Sequence, residues 1–300
     1  MEFRLVRHGW LPTLAALGCW SIGALGFAQT TVGARPAGAQ PAVPYRVAER
    51  TVPVPNASAP ELKEGPAGEH PLMPALRWAH EGLEEINKNL HDYSATVAKR
   101  ERLNGELGDY QYMFLKVRQK PFSVYIYFLD PPSLKGQELI WIEGQNNGKL
   151  WAHPPGLQNM LIGTVQLDPT GTLAMRGQRY PVTEVGIANL VKRLIEVGEQ
   201  DAQYGECEVK FFQGAKINDR TCTCIQVMHP VPRRNFIFHI ARIFIDDELN
   251  LPLRYESRDW PKEPGEEPPV IEEYTYLNLK TNVGFTDADF DIRNPNYQFK

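Results

Sequence analysis

The side chains best suited to chemistry lie in the second half of the chain, where cysteines and histidines are close in sequence. Cys222, Cys224, His229 and His239 carry the sulfur and imidazole ligands that zinc binds. Their spacing matches no zinc motif, and the Cys-x-Cys pair falls in a run with the pattern of a strand. We therefore predict no metal and no other cofactor, with a Cys/His metalloprotein as an alternative.

Cys207, Cys222 and Cys224 together indicate a disulfide if the chain is exported. Oxidising compartments favour pairing, and a single bridge among three cysteines leaves one thiol over. Cys222 and Cys224 lie on one face of a predicted strand, where a direct bond between them would be strained. We predict a structural bridge from Cys207 to Cys222 or to Cys224, and the sequence does not choose between the two.

Catalytic motifs are missing from the sequence. It contains no Gly-x-Ser-x-Gly, His-Glu-x-x-His or phosphate-binding loop. Glu272 and Glu273 are adjacent in a predicted strand, so their carboxylates point to opposite faces and cannot form an acid–base pair by themselves. We predict a protein that is not an enzyme, and a hydrolase that uses the Cys and His side chains is a further alternative.

The charge balance argues against a nucleic acid as partner. The chain of 300 residues has a formal net charge of -4 and is 42% hydrophobic, so no basic excess is available to neutralise phosphates. Its basic clusters are short, and we interpret them as solvated strand edges. These clusters are Lys99, Arg100 and Arg102, and Arg233 with Arg234.

Residues 1–28 have the features of an export signal. Arg4 and Arg7 precede an uncharged run from Trp10 to Ala28. The run is also about long enough to stay in a membrane as an uncleaved anchor. Lipidation at Cys19 is a third alternative. We predict a periplasmic or cell-envelope location, either free or tethered to the membrane.

Composition divides the rest of the chain into two parts. Residues 29–73 are rich in Pro, Ala and Gly and have no sustained apolar period, which predicts a disordered tether. Residues 74–300 carry all the periodic hydrophobicity and are predicted to form one β domain.

Two amphipathic helices are predicted in this domain. The first opens at Pro74 and runs to about Tyr93, because proline is compatible with the first turn and apolar residues recur at helical spacing. The second runs from about Thr183, a plausible N-cap, to Ala202. Each helix therefore has one face that can lie on an apolar surface.

Antiparallel strands account for most of the remaining residues. Residues 110–155 alternate between apolar and polar positions, and Asn104-Gly105 and Asn147-Gly148 are typical of hairpin turns. A long strand is predicted over 236–246. Because two helices cannot cover both faces of so large a flat sheet, we predict an α+β fold, mainly antiparallel: a strongly bent, unclosed barrel of about nine to eleven strands with the helices on its concave side.

Residues 93–156 resemble the opening of the periplasmic lipoprotein-carrier superfamily. The similarity rests on a helix followed by a meander, on the segment Glu143–Trp151, and on the ending Phe285–Phe290. The resemblance implies an unclosed β-barrel with helices as a lid, sheltering an apolar cavity for acyl chains. The Pro-rich tether and the cysteine hairpin are not part of the carrier pattern.

A longer span, roughly 93–299, resembles a family of exported bacterial proteins classed as domain of unknown function 1571. The matching segments are residues 173–201, residues 204–244 and the stretch around Asp259-Trp260-Pro261-Lys262. This resemblance implies no activity, since none is assigned to the family.

These observations predict a binding protein for a hydrophobic ligand, which is a lipid or a lipoprotein acyl chain. An envelope interaction module of the same fold with a solid core is the alternative. The side chains predicted to face the cavity are Met113, Leu115, Val117, Val124, Ile126, Phe128, Ile140, Ile142, Leu190, Leu194, Phe236, Phe238 and Ile240.

Overall fold

A computed structural model of the chain describes residues 68–156 and 162–299. The predicted signal segment, 1–28, and nearly all of the predicted tether, 29–73, lie outside these residues, as does Cys19. Among the described residues, no helix combines the length and the apolar character that a membrane crossing requires.

Two α-helices form within the described residues: α1, Met73–Asn89, and α2, Ile187–Asp201. A proline lies in the first turn of α1, where its missing N–H costs no hydrogen bond. The predicted N-cap of the second helix is wrong, because Thr183 lies in the separate 3-10 turn Val182–Glu184. The helix begins after Gly186, whose φ of 117° is a conformation that favours glycine.

Twelve strands form one sheet in the described part of the chain. The number exceeds the expected nine to eleven because it includes two very short strands, of two and three residues. The strands are β1 Asp92–Leu103, β2 Glu106–Leu107, β3 Gln111–Gln119, β4 Phe122–Asp130, β5 Glu138–Ile142, β6 Leu150–His153, β7 Val165–Leu167, β8 Glu208–Ile217, β9 Arg220–Met228, β10 Ile240–Asp246, β11 Pro252–Arg258 and β12 Val270–Thr281.

Every strand pair is antiparallel, and the order is β7-β6-β5-β4-β3-β1-β12-β11-β10-β9-β8, with β2 beside β1. The two ends of this order do not pair, so the sheet is an unclosed barrel. Asn104 and Gly105 both have positive φ and turn β1 into β2, as the hairpin motif predicts. The predicted fold class is confirmed.

The strand predicted over 236–246 is shorter than expected. Only Ile240–Asp246 forms β10, and the preceding residues are a loop. Phe236 is buried there because its ring stacks on the ring of His229 at a centroid distance of 3.8 Å. The alternation of apolar residues therefore extends beyond the strand. Phe236 is buried by a ring contact, and residues 236–239 are not part of β10.

Both helices pack on the concave side of the sheet. α1 and α2 contact each other, and a Cβ on Gly198 of α2 would lie 2.9 Å from a methyl carbon of Leu76 in α1. Together the helices cover β9–β11 through an apolar cluster that includes Leu76, Ile225 and Val227. The N-terminal end of α2 joins a second cluster with Tyr93 and Val117.

The opposite face of β4 and β5 is covered by the end of the chain. Phe290 and Phe299 pack there against Tyr125, Ile140 and Ile142. This placement assigns the two faces of β5, since alternate residues of a strand point to opposite sides.

Candidate functional site

A cavity of about 810 Å³ lies between α2 and the concave side of the sheet. Its walls come from α2, from the loop that precedes this helix, and from β1, β3, β4, β5, β6 and β12. Protein interiors have few voids larger than a water molecule, so a space of this size is not a packing defect.

Seven of the predicted lining residues border this cavity. They come from three places: β3 and β4, α2, and the loop before β10. They are Met113, Leu115, Ile126, Phe128, Leu190, Leu194 and Phe238. The period-2 pattern of β3 and β4 brings the first four together, because cross-strand partners such as Leu115 and Ile126 share a face. That these side chains bind a ligand stays a prediction.

Four predicted lining residues lie elsewhere in the first half of the sheet. Val117 and Val124 are fully buried in the cluster around the start of α2 and border neither cavity described here. Ile140 and Ile142 point to the other face, against the end of the chain. Their assignment was wrong by one residue, because Leu139 is the cross-strand partner of Ile126 and shares its face.

The remaining two predicted lining residues are displaced for a related reason. Phe236 packs on His229 and borders neither of the two cavities. Ile240 opens β10, and the inward positions of that strand are Ala241, Ile243 and Ile245. The loop before β10 breaks the alternation that the sequence suggested, so the inward face of this strand is also offset by one residue.

A polar wall at one side of the cavity was not foreseen. Val97, Lys99 and Glu101 follow each other on the inward face of β1, opposite Tyr276, Tyr274 and Glu272 of β12. Lys99, read from the sequence as part of a solvated edge, is only 7% exposed because β1 is a central strand. The sequence does show that Val97, Lys99 and Glu101 share one face of a strand, because they are spaced two residues apart.

Lys99 and Glu101 form a buried ion pair at this wall. Lys99 Nζ donates to Glu101 Oε2 at 3.2 Å and to the side-chain oxygen of Gln178. The hydroxyl of Tyr274 donates to Glu101 Oε1 at 2.5 Å. Burial lowers the pKa of Lys99, and the neighbouring Glu101 carboxylate partly offsets this effect.

Glu272 lies next to this pair with partners of its own. Arg179 Nε is 3.0 Å from Glu272 Oε2, and the hydroxyl of Tyr180 donates to Glu272 Oε1 at 3.2 Å. Burial raises the pKa of Glu272, and the guanidinium of Arg179 opposes that shift. Burial and the Glu272 carboxylate also raise the pKa of Tyr180 to about 12.

The cavity reaches the protein surface through loops that carry apolar side chains. Leu173 and Ile237 border the cavity and are 71% and 50% exposed. Arg176 and Lys192 border it as well and are exposed. A ligand therefore has an entry that does not require unfolding of the sheet.

A second, smaller cavity of about 100 Å³ lies where α1 and α2 cover β9–β11. Its lining is almost wholly apolar and shares Leu194, Val197 and Phe238 with the larger cavity. The interior beneath the helices is therefore not packed solid.

The three described cysteines are free and buried. Glu208 pairs with Met228, which places Cys207 beside His229 and about 16 Å along β9 from Cys224. A disulfide needs Cα atoms within about 7 Å, so the predicted bridge to Cys222 or Cys224 is not formed. Burial raises the pKa of each thiol to about 12.

The metal site considered from the sequence is not assembled either. Cys222 and Cys224 lie toward the opposite end of β9 from His229, whose ring contacts Asp201 and the Glu206 carbonyl. Over residues 68–156 and 162–299, no group of three or more His, Cys, Asp or Glu side chains could hold a metal ion.

Comparison with known proteins shows similarity to solved structures and to one sequence family. An uncharacterized conserved protein from Thermus thermophilus is 14% identical with a TM-score of 0.40, over 71% of this chain and 91% of that chain. A putative outer membrane lipoprotein-sorting protein domain from Vibrio parahaemolyticus is 13% identical with a TM-score of 0.33, over 71% and 97%. The Mycobacterium tuberculosis lipoprotein LppX is 13% identical with a TM-score of 0.34, over 73% and 100%.

No curated protein matches the chain. Residues 90–299 match the model of a family described as "Protein of unknown function (DUF1571)". This span is more than two thirds of the chain and contains the whole sheet, α2 and the covering C-terminal segment. The chain therefore belongs to the DUF1571 family.

Proposed function

We propose that this protein is an exported, non-enzymatic binding protein that holds a hydrophobic ligand, a lipid or a lipoprotein acyl chain, between α2 and the sheet. The observation that carries the proposal is the cavity of about 810 Å³ lined by apolar side chains of β3, β4 and α2. Its volume is within the range of about 300–1,000 Å³ typical of small-molecule sites.

The apolar lining of the cavity argues for a hydrocarbon occupant. The cavity is open to the surface, so water fills it when no ligand is bound. A hydrocarbon chain that displaces this water from the apolar walls gains about 0.8 kcal/mol per buried methylene.

Export and the absence of catalysis are parts of the same proposal. Residues 1–28 have the charge and hydropathy pattern of a signal peptide or an uncleaved anchor. The described cysteine thiols are buried with raised pKa values, which makes them poor nucleophiles. The partner is then a lipid or a lipoprotein of the cell envelope, with the membrane itself as a partner if the N-terminal segment is retained.

Binding of N-phenyl-1-naphthylamine, an uncharged dye that fluoresces in apolar sites, tests the proposal on the purified full chain. Ala152 is half-buried and borders the cavity, so Ala152→Trp places an indole in the binding space. Excluding even two methylene equivalents costs about 1.6 kcal/mol, which weakens dye binding by more than about tenfold.

The matched control is the same change at Ala288, which is exposed and does not border the cavity. Ala288→Trp is expected to bind the dye like the unmodified chain, and circular dichroism establishes that both variants are folded. No dye binding by the unmodified chain, or equal binding by folded Ala152→Trp, would overturn the proposal.

A further inference from the structure

We propose that the larger cavity takes an amphiphile with an uncharged, hydroxyl-bearing head group, such as an acylglycerol, and that the head lies against Lys99, Glu101 and Tyr276. This inference rests on the proposed function and adds the class of ligand. The acyl chain then occupies the space between β3, β4 and α2.

The lining changes from apolar to polar along two neighbouring strands. Val97 pairs with Tyr276, the pair Lys99 and Tyr274 comes next, and the pair Glu101 and Glu272 follows. Successive inward pairs are about 6.6 Å apart along a strand. A ligand made only of hydrocarbon would place apolar atoms against Lys99, Glu101 and Glu272 at the polar end of these pairs. Such contacts are unfavourable for buried polar groups.

Tyr276 shows that the polar wall has unused hydrogen-bonding capacity. Its side chain is 7% exposed and borders the cavity. Tyr274 and Tyr180 donate their hydroxyls to Glu101 and Glu272, whereas the Tyr276 hydroxyl has no hydrogen-bond partner among the described residues. The hydroxyl oxygen is accessible from the cavity, so water or a ligand hydroxyl is its expected partner.

The charges at this wall already balance. Lys99 pairs with Glu101, and Arg179 pairs with Glu272, giving two positive and two negative groups. An anionic head would lie near both carboxylates, and a cationic head would lie near the Lys99 ammonium. At this buried wall either charge would lose its hydration without gaining a free counter-ion, because Arg176 and Lys192, which also border the cavity, are exposed to solvent. A hydroxyl loses much less, because it can donate to a carboxylate oxygen and accept from Tyr276 or Lys99.

Displacement of bound N-phenyl-1-naphthylamine from the full chain tests the head-group preference. The competitors are 1-monododecanoylglycerol, dodecanoate and dodecyltrimethylammonium, which share their chain length and differ in head-group charge. We expect the acylglycerol to displace the dye at a concentration at least about tenfold lower than either ion, since a buried unpaired charge is strongly disfavoured.

Tyr276→Phe isolates the proposed contact. Loss of one hydrogen bond to the ligand should weaken the acylglycerol about three- to tenfold and leave dye affinity unchanged. The melting temperature should not fall, because the hydroxyl has no partner within the described protein. Tyr127→Phe is the matched control, since Tyr127 packs on the opposite face near the end of the chain.

The outcomes separate this inference from the proposed function. Failure of the unmodified chain to bind the dye contradicts both. Dye binding with equal or better displacement by dodecanoate or by the ammonium compound contradicts the head-group inference alone. Acylglycerol binding that is the same in Tyr276→Phe and Tyr127→Phe removes Tyr276 from the site and overturns the inference as stated.

Discussion

The contact between Asp201 and His229 should be one of the strongest single interactions between α2 and the residues that follow β9. Asp201 ends α2, and its Oδ2 lies 3.0 Å from Nε2 of His229. The side chains are 2% and 0% exposed. The other ring nitrogen of His229 faces the Glu206 carbonyl oxygen at 3.2 Å, and the ring stacks on Phe236. Each ring nitrogen of this imidazole therefore faces an oxygen atom of the protein.

The chain contains a natural control for the effect of burial. His80 Nε2 and Glu199 Oε1 are also 3.0 Å apart, and Glu199 is on the same helix two residues before Asp201. These side chains are 53% and 55% exposed. Two histidine–carboxylate pairs with the same separation thus differ mainly in their access to water.

Asp201→Ala should lower the free energy of unfolding by about 3–5 kcal/mol, because it leaves a buried imidazole without its carboxylate. Glu199→Ala should cost less than about 1 kcal/mol, since an exposed pair is weak and screened by salt. At about 2–4 °C per kcal/mol for a domain of this size, the first change lowers the melting temperature by about 6–20 °C.

Urea denaturation followed by circular dichroism measures both effects, and double-mutant cycles with His229→Ala and His80→Ala isolate the coupling within each pair. We expect a coupling of about 1–3 kcal/mol for the buried pair and about 0–0.5 kcal/mol for the exposed pair. Equal couplings at the two sites would refute the reasoning that burial, at a fixed distance, sets the strength of the interaction.

Two further predictions concern Glu272 and Gly186. The folded-state pKa of Glu272 is raised, so its contribution to stability is fully present below about pH 4.5 and is lost as pH rises through the folded value. The stability of the unmodified chain relative to Glu272→Gln should therefore fall as the pH rises above about 4.5, and a difference that does not change with pH contradicts the raised pKa. Gly186→Ala should cost about 1–3 kcal/mol in urea denaturation, because φ is 117° and the new Cβ would lie 2.9 Å from the Tyr93 hydroxyl. Gly205→Ala, with open space around the glycine, should change stability by less than about 0.5 kcal/mol.

Much of the architecture can be predicted from the sequence because it follows from local periodicity. The alternation along β3 and β4 predicted both strands and the residues that face inward, including Leu115 and Ile126. The Asn104-Gly105 hairpin was predicted because few residues tolerate two successive positive φ values. These features depend on neighbours within a few residues, which a single sequence displays.

The errors arose where an apolar run is compatible with either face of a strand. In β5, the run Leu139 to Ile142 is apolar throughout, so the pattern did not indicate which alternate residues face inward. Pairing with β4 decides this, and the C-terminal segment makes the other face equally buried. Before β10, Phe236 is buried because its ring packs on the ring of His229. It does not belong to the strand, which begins at Ile240.

The polar wall was missed because burial of a charged residue depends on the sheet as a whole. Lys99 has the composition of a surface residue, and only its place in a strand between β3 and β12 brings it under the helices. Its partners Glu101 and Gln178 are two and 79 residues away in the chain. The spacing of Val97, Lys99 and Glu101 shows that they share one face of a strand, but the contact with Gln178 leaves no local signal that this face is buried.

The sequence by itself determined the elements of the described domain: two amphipathic helices and a series of antiparallel strands. Only the tertiary structure decided which faces of those elements meet, that an open space lies between them, and that a charged wall borders it. The physical reason is that periodicity is set by backbone geometry within each element, whereas a cavity is defined by the distance between elements that are far apart in the chain.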